Sequence, residues 1–240
     1  MKFGLKLWAR NYRHIEEAAE LIRSGIFQYL ELMPEPGYSV DLYPSDIPYV
    51  IHATKFNPAD AAKIDDNRAL MRMCTRWADR LKSEVIIVHP GSGSLKHSLE
   101  FINAEEWRSD RRIVVENMPF VVDGEQDRLA STPADISVYN RPICLDIGHM
   151  IKSALSHFTD YRLFIDGFLK LKPRMAHIMD GYTNDERDQH LAIGEGDYDF
   201  RYLVEKLSSA GIEYATLETP WKIPTDTAHQ LGKLKLILSS

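Results

Sequence analysis

The chain has 240 residues, 44% of them hydrophobic and 27% charged, an ordinary globular composition that excludes disordered and fibrous classes. A net charge of −6 counts against broad, non-specific nucleic-acid binding, which wants a basic stripe. No apolar run reaches the length that crosses a bilayer.

In chain order, strand-like runs are expected at about 3–8, 28–33, 49–54, 84–90, 112–117, 143–147, 174–179 and 214–219. Helical patterns fall at about 13–24, 60–82, 94–107, 150–170, 198–210 and 225–238. The 60–82 pattern is explicit, with Ile64, Leu70, Met71, Cys74, Trp77, Ala78 and Leu81 at helical spacing. Gly25 and Gly211 stand where helices would stop. The 34–48 segment carries Pro34, Pro36, Gly37, Pro44 and Pro48, so no full helix fits there. The 120–138 segment has room for a short helix. Eight strands alternating with helices predict a (β/α)8 barrel, one domain over 1–240, with an open doubly wound sheet as the competing fold. The charged N-terminal segment Met1–Trp8 reads as a first strand rather than a secretory signal. Cys74 and Cys144 lie in apolar or helical contexts and are expected as buried thiols, so a cytoplasmic protein is expected. Nothing in the sequence points to a protein partner.

The strand ends carry the chemistry. His52, His89, Glu116, Asp146, His177 and Glu218 each close an apolar run, His149 follows Asp146 by three residues, and Asp188 and His190 stand two apart in a polar loop. Imidazole and carboxylate are ligands for Zn²⁺ and similar dications. A single polar strand end is commonplace, and a lone His52 or His89 is more often a capping or packing residue. Six consecutive strands ending this way suggest one site, because barrel enzymes gather catalytic groups at the C-terminal strand ends. Glu31 ends the second strand in the same layer, free to bind metal, hold a water or pair with a base. Asp180 is placed to orient a ligand, and Gly194 and Gly196 allow close backbone approach. Lys55, Lys152, Arg187 and Lys222 follow strand ends and could form a basic rim. His14, His97, His157 and His229 lie in helical patterns and read as surface or packing residues.

From His52 to Pro220 the chain resembles the xylose isomerase-like barrel superfamily, and within it the endonuclease IV type of apurinic/apyrimidinic endonuclease. The resemblance is carried by His52-Ala53, the His89 strand end, Glu116-Asn117, Cys144-Leu145-Asp146-x-x-His149, His177-x-x-Asp180, Asp188-x-His190-x-x-Ile193-Gly194-Glu195-Gly196 and Glu218-Thr219-Pro220. It implies up to three Zn²⁺ ions, with Mn²⁺ or Fe²⁺ as substitutes, held by His52, His89, Glu116, Asp146, His149, His177, Asp188, His190 and Glu218. It further implies a phosphodiester hydrolase with a metal-bound hydroxide as nucleophile, Glu116, Asp146 and Glu218 serving catalysis, and DNA cut 5′ to abasic sites, or a small phosphodiester. Lys55 and Phe56 stand near the place of the family's DNA-engaging aromatic and, with Glu31, are the expected substrate contacts. The sugar isomerases and epimerases of the same superfamily imply an alternative. There one ion sits among Glu116, Asp146, His177 and Glu218, and the two glutamates move a proton between adjacent carbons of a small sugar. A non-catalytic barrel is a third reading. The extra ligands His52, His89, Asp188 and His190 favour the hydrolase.

Overall fold

The computed structural model describes residues 1–53, 55–121, 128–220 and 223–239. Eight strands close in sequence order into one parallel barrel. They are β1 (Lys2–Trp8), β2 (Tyr29–Met33), β3 (Tyr49–His52), β4 (Ile86–Val88), β5 (Ile113–Glu116), β6 (Ile143–Asp146), β7 (Met175–Ile178) and β8 (Tyr214–Leu217). The helices are α1 (Ile15–Arg23), α2 (Ile64–Arg80), α3 (Leu95–Ile102), α4 (Pro133–Ser137), α5 (Ile147–Ser156), α6 (Tyr161–Leu169), α7 (Phe200–Ser209) and α8 (Pro224–Ser239). The open sheet is thereby excluded. The proline-rich 34–48 segment makes a single 3-10 turn at Val40–Leu42, and α4 is the short helix expected before β6. Among the described residues no helix is long and apolar enough to cross a membrane.

The helix expected over 150–170 is two helices. Asp160 caps α6 by accepting from the Arg162 N–H, and Phe158 just before it takes a positive φ of 53°. Local capping chemistry breaks an apolar pattern that is otherwise continuous. The first of the pair, α5, also starts earlier than expected. Asp146 is the last residue of β6 and the N-cap of α5, accepting from His149 N at 2.7 Å.

Side chains alternate faces along a strand, and the barrel sorts them accordingly. Leu5, Leu30, Ile51, Ile86, Val115, Leu145 and Ile178 belong to the large core that includes the helices. Tyr29, Val50, Ile87, Val114, Cys144 and Met175 form a separate small cluster, the barrel floor. Two residues further along each strand, on the same inward face, stand Glu31, His52, His89, Glu116, Asp146 and His177. The apolar floor thus fixes the height at which the polar groups gather. Both cysteines are buried and unpaired.

Gly4 serves the floor directly. An added Cβ would overlap the Tyr29 ring, which is buried and hydrogen-bonded to Thr216 (2.9 Å). Gly4→Ala is expected to cost about 1–3 kcal/mol by overpacking, read as a lower midpoint in urea unfolding. An unchanged midpoint would show that Tyr29 can yield.

Candidate metal centre

Three groups of ligand atoms occupy the C-terminal mouth. In the first, His52 Nε2 and His89 Nε2 are 2.9 Å apart and lie 3.4 and 3.3 Å from Glu116 Oε2. In the second, His177 Nδ1 faces Glu218 Oε1 at 2.9 Å, Glu116 Oε2 at 3.5 Å and Asp146 Oδ2 at 3.6 Å. In the third, Asp188 Oδ2 lies 3.2 Å from His149 Nε2 and 2.8 Å from His190 Nε2. Glu116 belongs to the first two and reaches toward the third through Oε1, 3.3 Å from His149 Nδ1. All nine expected ligand residues are therefore brought together.

These atoms suit a cation. Glu116 Oε2, Asp146 Oδ2, His177 Nδ1 and Asp188 Oδ1 are buried without a hydrogen-bond partner, and such groups are costly to leave unmet. The imidazoles are also set in the right tautomers. A carbonyl or an ionised carboxylate can only accept. His149 therefore donates Nδ1–H to Asn117 O (2.9 Å) and His190 donates Nδ1–H to Glu218 O (3.0 Å), while each Nε2 faces Asp188 Oδ2, at 3.2 and 2.8 Å, where an ion would displace any shared proton. Cys144 lies beside Glu116 and His177, but burial pushes its thiol up to about 12, so it remains protonated and is a poor ligand.

Several supports were not legible in the sequence. Lys6, on β1, ion-pairs with Glu218 and stands 3.4 Å from Glu31. Burial pulls its ammonium pKa down, but Glu218, Glu31 and Glu116 outweigh burial and hold it above the ordinary lysine value. Asn117 grips the end of β6 from both sides, accepting from Asp146 N at 2.7 Å and donating to Asp146 O at 3.0 Å. Lys152, expected on a basic rim, is instead buried. It donates to Tyr182 O (2.7 Å) and Gln189 Oε1 (3.1 Å), pinning the loop that carries Asp188 and His190. Arg187 is paired with Asp185, and Lys222 lies outside the described residues.

Asp180 has a different task from the one expected. Its carboxylate accepts from the N–H groups of Gly181, Gly194 and Gly196 at 2.8, 2.8 and 3.0 Å. It folds the glycine loop rather than orienting His177. A Cβ on Gly196 would overlap Gly181 O, so the close approach expected of the glycine pair is present.

Above the ligands lies a cavity of about 590 Å³, lined in part by Lys6, Trp8, Met33, Lys55, Arg128 and Pro220. Of the three expected substrate contacts, Lys55 lines it. Glu31 and Phe56 are corrected. Glu31 is 0% exposed beneath the histidines. Phe56 turns into the core, edge-on to Phe101 with ring centroids 5.3 Å apart, because that apolar pocket outcompetes exposure to solvent.

A parallel eight-stranded barrel with imidazoles and carboxylates gathered at its C-terminal mouth defines a candidate metalloenzyme scaffold. The chain belongs to the xylose isomerase-like TIM barrel family, whose model matches residues 39–236. It is 26% identical to an uncharacterised protein of Methanocaldococcus jannaschii, over 89% of this chain and 81% of that protein. Among solved structures it is similar to endonuclease IV from Thermus thermophilus, with TM-score 0.73, 19% identity and 100% and 99% of the two chains covered. It is also similar to a D-tagatose 3-epimerase-like protein, with TM-score 0.70, 23% identity and 100% and 97% covered. These likenesses show the fold, and they span both a nuclease and an epimerase name.

Protons compete for the ligand atoms. Burial lowers the His190 pKa, but Asp188 outweighs burial and pushes it up to about 9. Burial raises the Asp146 pKa as well. An ion must displace these protons. Apparent Zn²⁺ affinity is therefore expected to rise with pH until about 9, as the raised imidazole pKa is passed, with net proton release at pH 7. Calorimetry in buffers of different ionisation enthalpy checks this, and zero proton release would contradict it.

Proposed function

We propose that the protein is a metal-dependent phosphodiester hydrolase of the endonuclease IV type, acting on DNA with abasic sites or on a small phosphodiester. The observation that carries the reading is the gathering of nine ligand residues into neighbouring clusters around His52 and His89, His177, and Asp188, with Glu116 reaching toward all three. A one-ion site has no task for His52, His89, Asp188 and His190.

Charge supports the same choice. Glu31 and Lys6 cancel, so Glu116, Asp146, Asp188 and Glu218 contribute four negative charges when the imidazoles are neutral. Three dications would leave about two positive charges, which attract a phosphodiester, whereas one would leave about two negative charges, which repel it. When bound, the ions supply acidified water and stabilise charge on the phosphoryl group and the leaving oxygen. Zn²⁺ fits the mixed imidazole and carboxylate set, and Mn²⁺ or Fe²⁺ fits it as well.

The chain's own residues do the rest. Glu116 and Glu218 hold ions rather than carry protons. Asp146 keeps one oxygen on the α5 cap and leaves the other unpartnered, and that oxygen would help hold an ion or orient a water. Lys55 and Arg128 present positive charge to a phosphate, and Trp8 and Met33 give an apolar wall to whatever the phosphate carries.

A second reading has its own support. Glu116, Asp146, His177 and Glu218 converge around His177 Nδ1, and a cavity of about 590 Å³ is the size of a small-molecule site. That arrangement suits one Mn²⁺-like ion and a small sugar, with Glu116 and Glu218 as acid and base.

Elemental analysis after reconstitution with Zn²⁺ or Mn²⁺ separates the two. About three ions per chain are expected for the hydrolase and about one for the isomerase or epimerase. His52→Ala and His89→Ala are expected to lower the ion count and abolish cleavage of a phosphodiester such as abasic duplex DNA. Full cleavage by both variants would defeat the three-ion reading, and turnover of a ketose by both would favour the sugar reading.

A further inference from the structure

Glu31 lies at the centre of a bracket that the metal-site reading leaves unexplained. Its Oε1 is 2.8 Å from His52 Nδ1 and 3.4 Å from Lys6 Nζ. Its Oε2 is 3.0 Å from His177 Nε2 and accepts from Thr216 Oγ1 at 2.6 Å. Tyr29 OH lies 2.9 Å from the same Thr216 hydroxyl. The carboxylate is fully buried, so every one of its contacts is with the protein.

Both histidines are ligands, but of different groups. His52 faces His89 and Glu116, while His177 faces Glu116, Asp146 and Glu218. We infer that Glu31 is a shared positioning residue, one carboxylate that fixes the tautomers of ligands to two neighbouring metal subsites. The inference rests on the three-ion reading for its two-subsite form.

Donors and acceptors fix the assignment. An ionised carboxylate can only accept, so the nitrogens facing it, His52 Nδ1 and His177 Nε2, carry protons. The opposite nitrogens, His52 Nε2 and His177 Nδ1, point inward and are the ones an ion would take, displacing any proton that His177 Nδ1 shares with Glu218 Oε1 at 2.9 Å. The two rings would thus bind through different nitrogens, His52 through Nε2 and His177 through Nδ1. Carboxylate support also raises the basicity of each imidazole. Lys6 and Thr216 occupy the remaining acceptor positions and keep the carboxylate from turning. His149 and His190 take their support from backbone carbonyls instead, so the third subsite is independent of Glu31.

Glu31→Gln tests this with little change of shape. The amide has one acceptor oxygen and one donor nitrogen, so at least one of the two rings meets a donor and loses its proton acceptor. In Zn²⁺ titrations followed by calorimetry against a competing chelator, at least one of the Glu31-supported ions should weaken by about 10–100-fold. The ion at His149, Asp188 and His190 should keep its affinity. Should the variant fail to fold, the wild type still decides. In its Zn²⁺-loaded form, long-range ¹H–¹⁵N spectra should place the remaining ring proton on Nδ1 of His52 and on Nε2 of His177. Unchanged affinities throughout, equal loss at all three subsites, or the opposite ring protons would overturn the inference. A wild type binding about one ion would defeat the three-ion reading while His177 still tests Glu31, and a wild type binding none would defeat both.

Discussion

Four carboxylates from four neighbouring elements crowd around one space, and like charges so placed cannot all stay ionised without cations among them. Nearly everything around the mouth of the barrel answers to that constraint. Lys6 takes one share of the charge at Glu218 and Glu31. The helix cap takes one oxygen of Asp146. Protons on the imidazoles take more, with His190 raised by Asp188 beside it. The oxygens still without a partner, on Glu116, Asp146 and Asp188, point to where further positive charge belongs. A polar cluster that satisfied itself would have no such remainder.

The barrel sets the constraint and also makes it tolerable. Parallel strands in register bring Lys6 beside Glu31 and Asp146 beside His177 as Cα partners. The pleat then turns these side chains to the same inward face, one layer above the apolar floor of Tyr29, Val50, Ile87 and Met175. A one-residue slip of a strand would send its ligand into the helix layer and bring a neighbour such as Ile51, Val115 or Leu145 into the centre. The ligand geometry is therefore as firm as the packing beneath it.

What could be read from sequence followed from short-range physics. Six consecutive strand ends were visible as an apolar run closed by one imidazole or carboxylate, and eight strand-like runs with helical segments between them point to a closed barrel. Asp188 and His190 were visible because two residues in extended chain face the same way. What escaped depends on long-range partners. Lys6 is one lysine in a strand that also carries Lys2, and nothing local says that it meets Glu218 across more than two hundred residues of chain. Lys152 sits in an amphipathic helix where lysine is ordinary, and its burial depends on a loop thirty residues away. Phe56 follows the third strand as a DNA-contacting aromatic would, yet the Phe101 ring decides its direction. The break between α5 and α6 was hidden because Ile165 and Phe168 continue the apolar pattern of Met150 and Ile151.

The tautomers tie the strand ends to one another. For four of the imidazoles the nitrogen turned away from the centre is committed to an acceptor: Glu31 for His52 and His177, Asn117 O for His149, Glu218 O for His190. Two of these acceptors belong to the backbone of residues adjacent to, or identical with, metal-ligand candidates. Asn117 follows Glu116, and Glu218 is itself one of the set. The centre is thus built so that placing one ligand orients another on a different strand. Such mutual fixing has a cost in sequence freedom, since a change at one strand end disturbs a ring on its neighbour. It has a return in preorganisation, because the rings are held in orientation before any ion arrives and little side-chain entropy remains to be lost on binding.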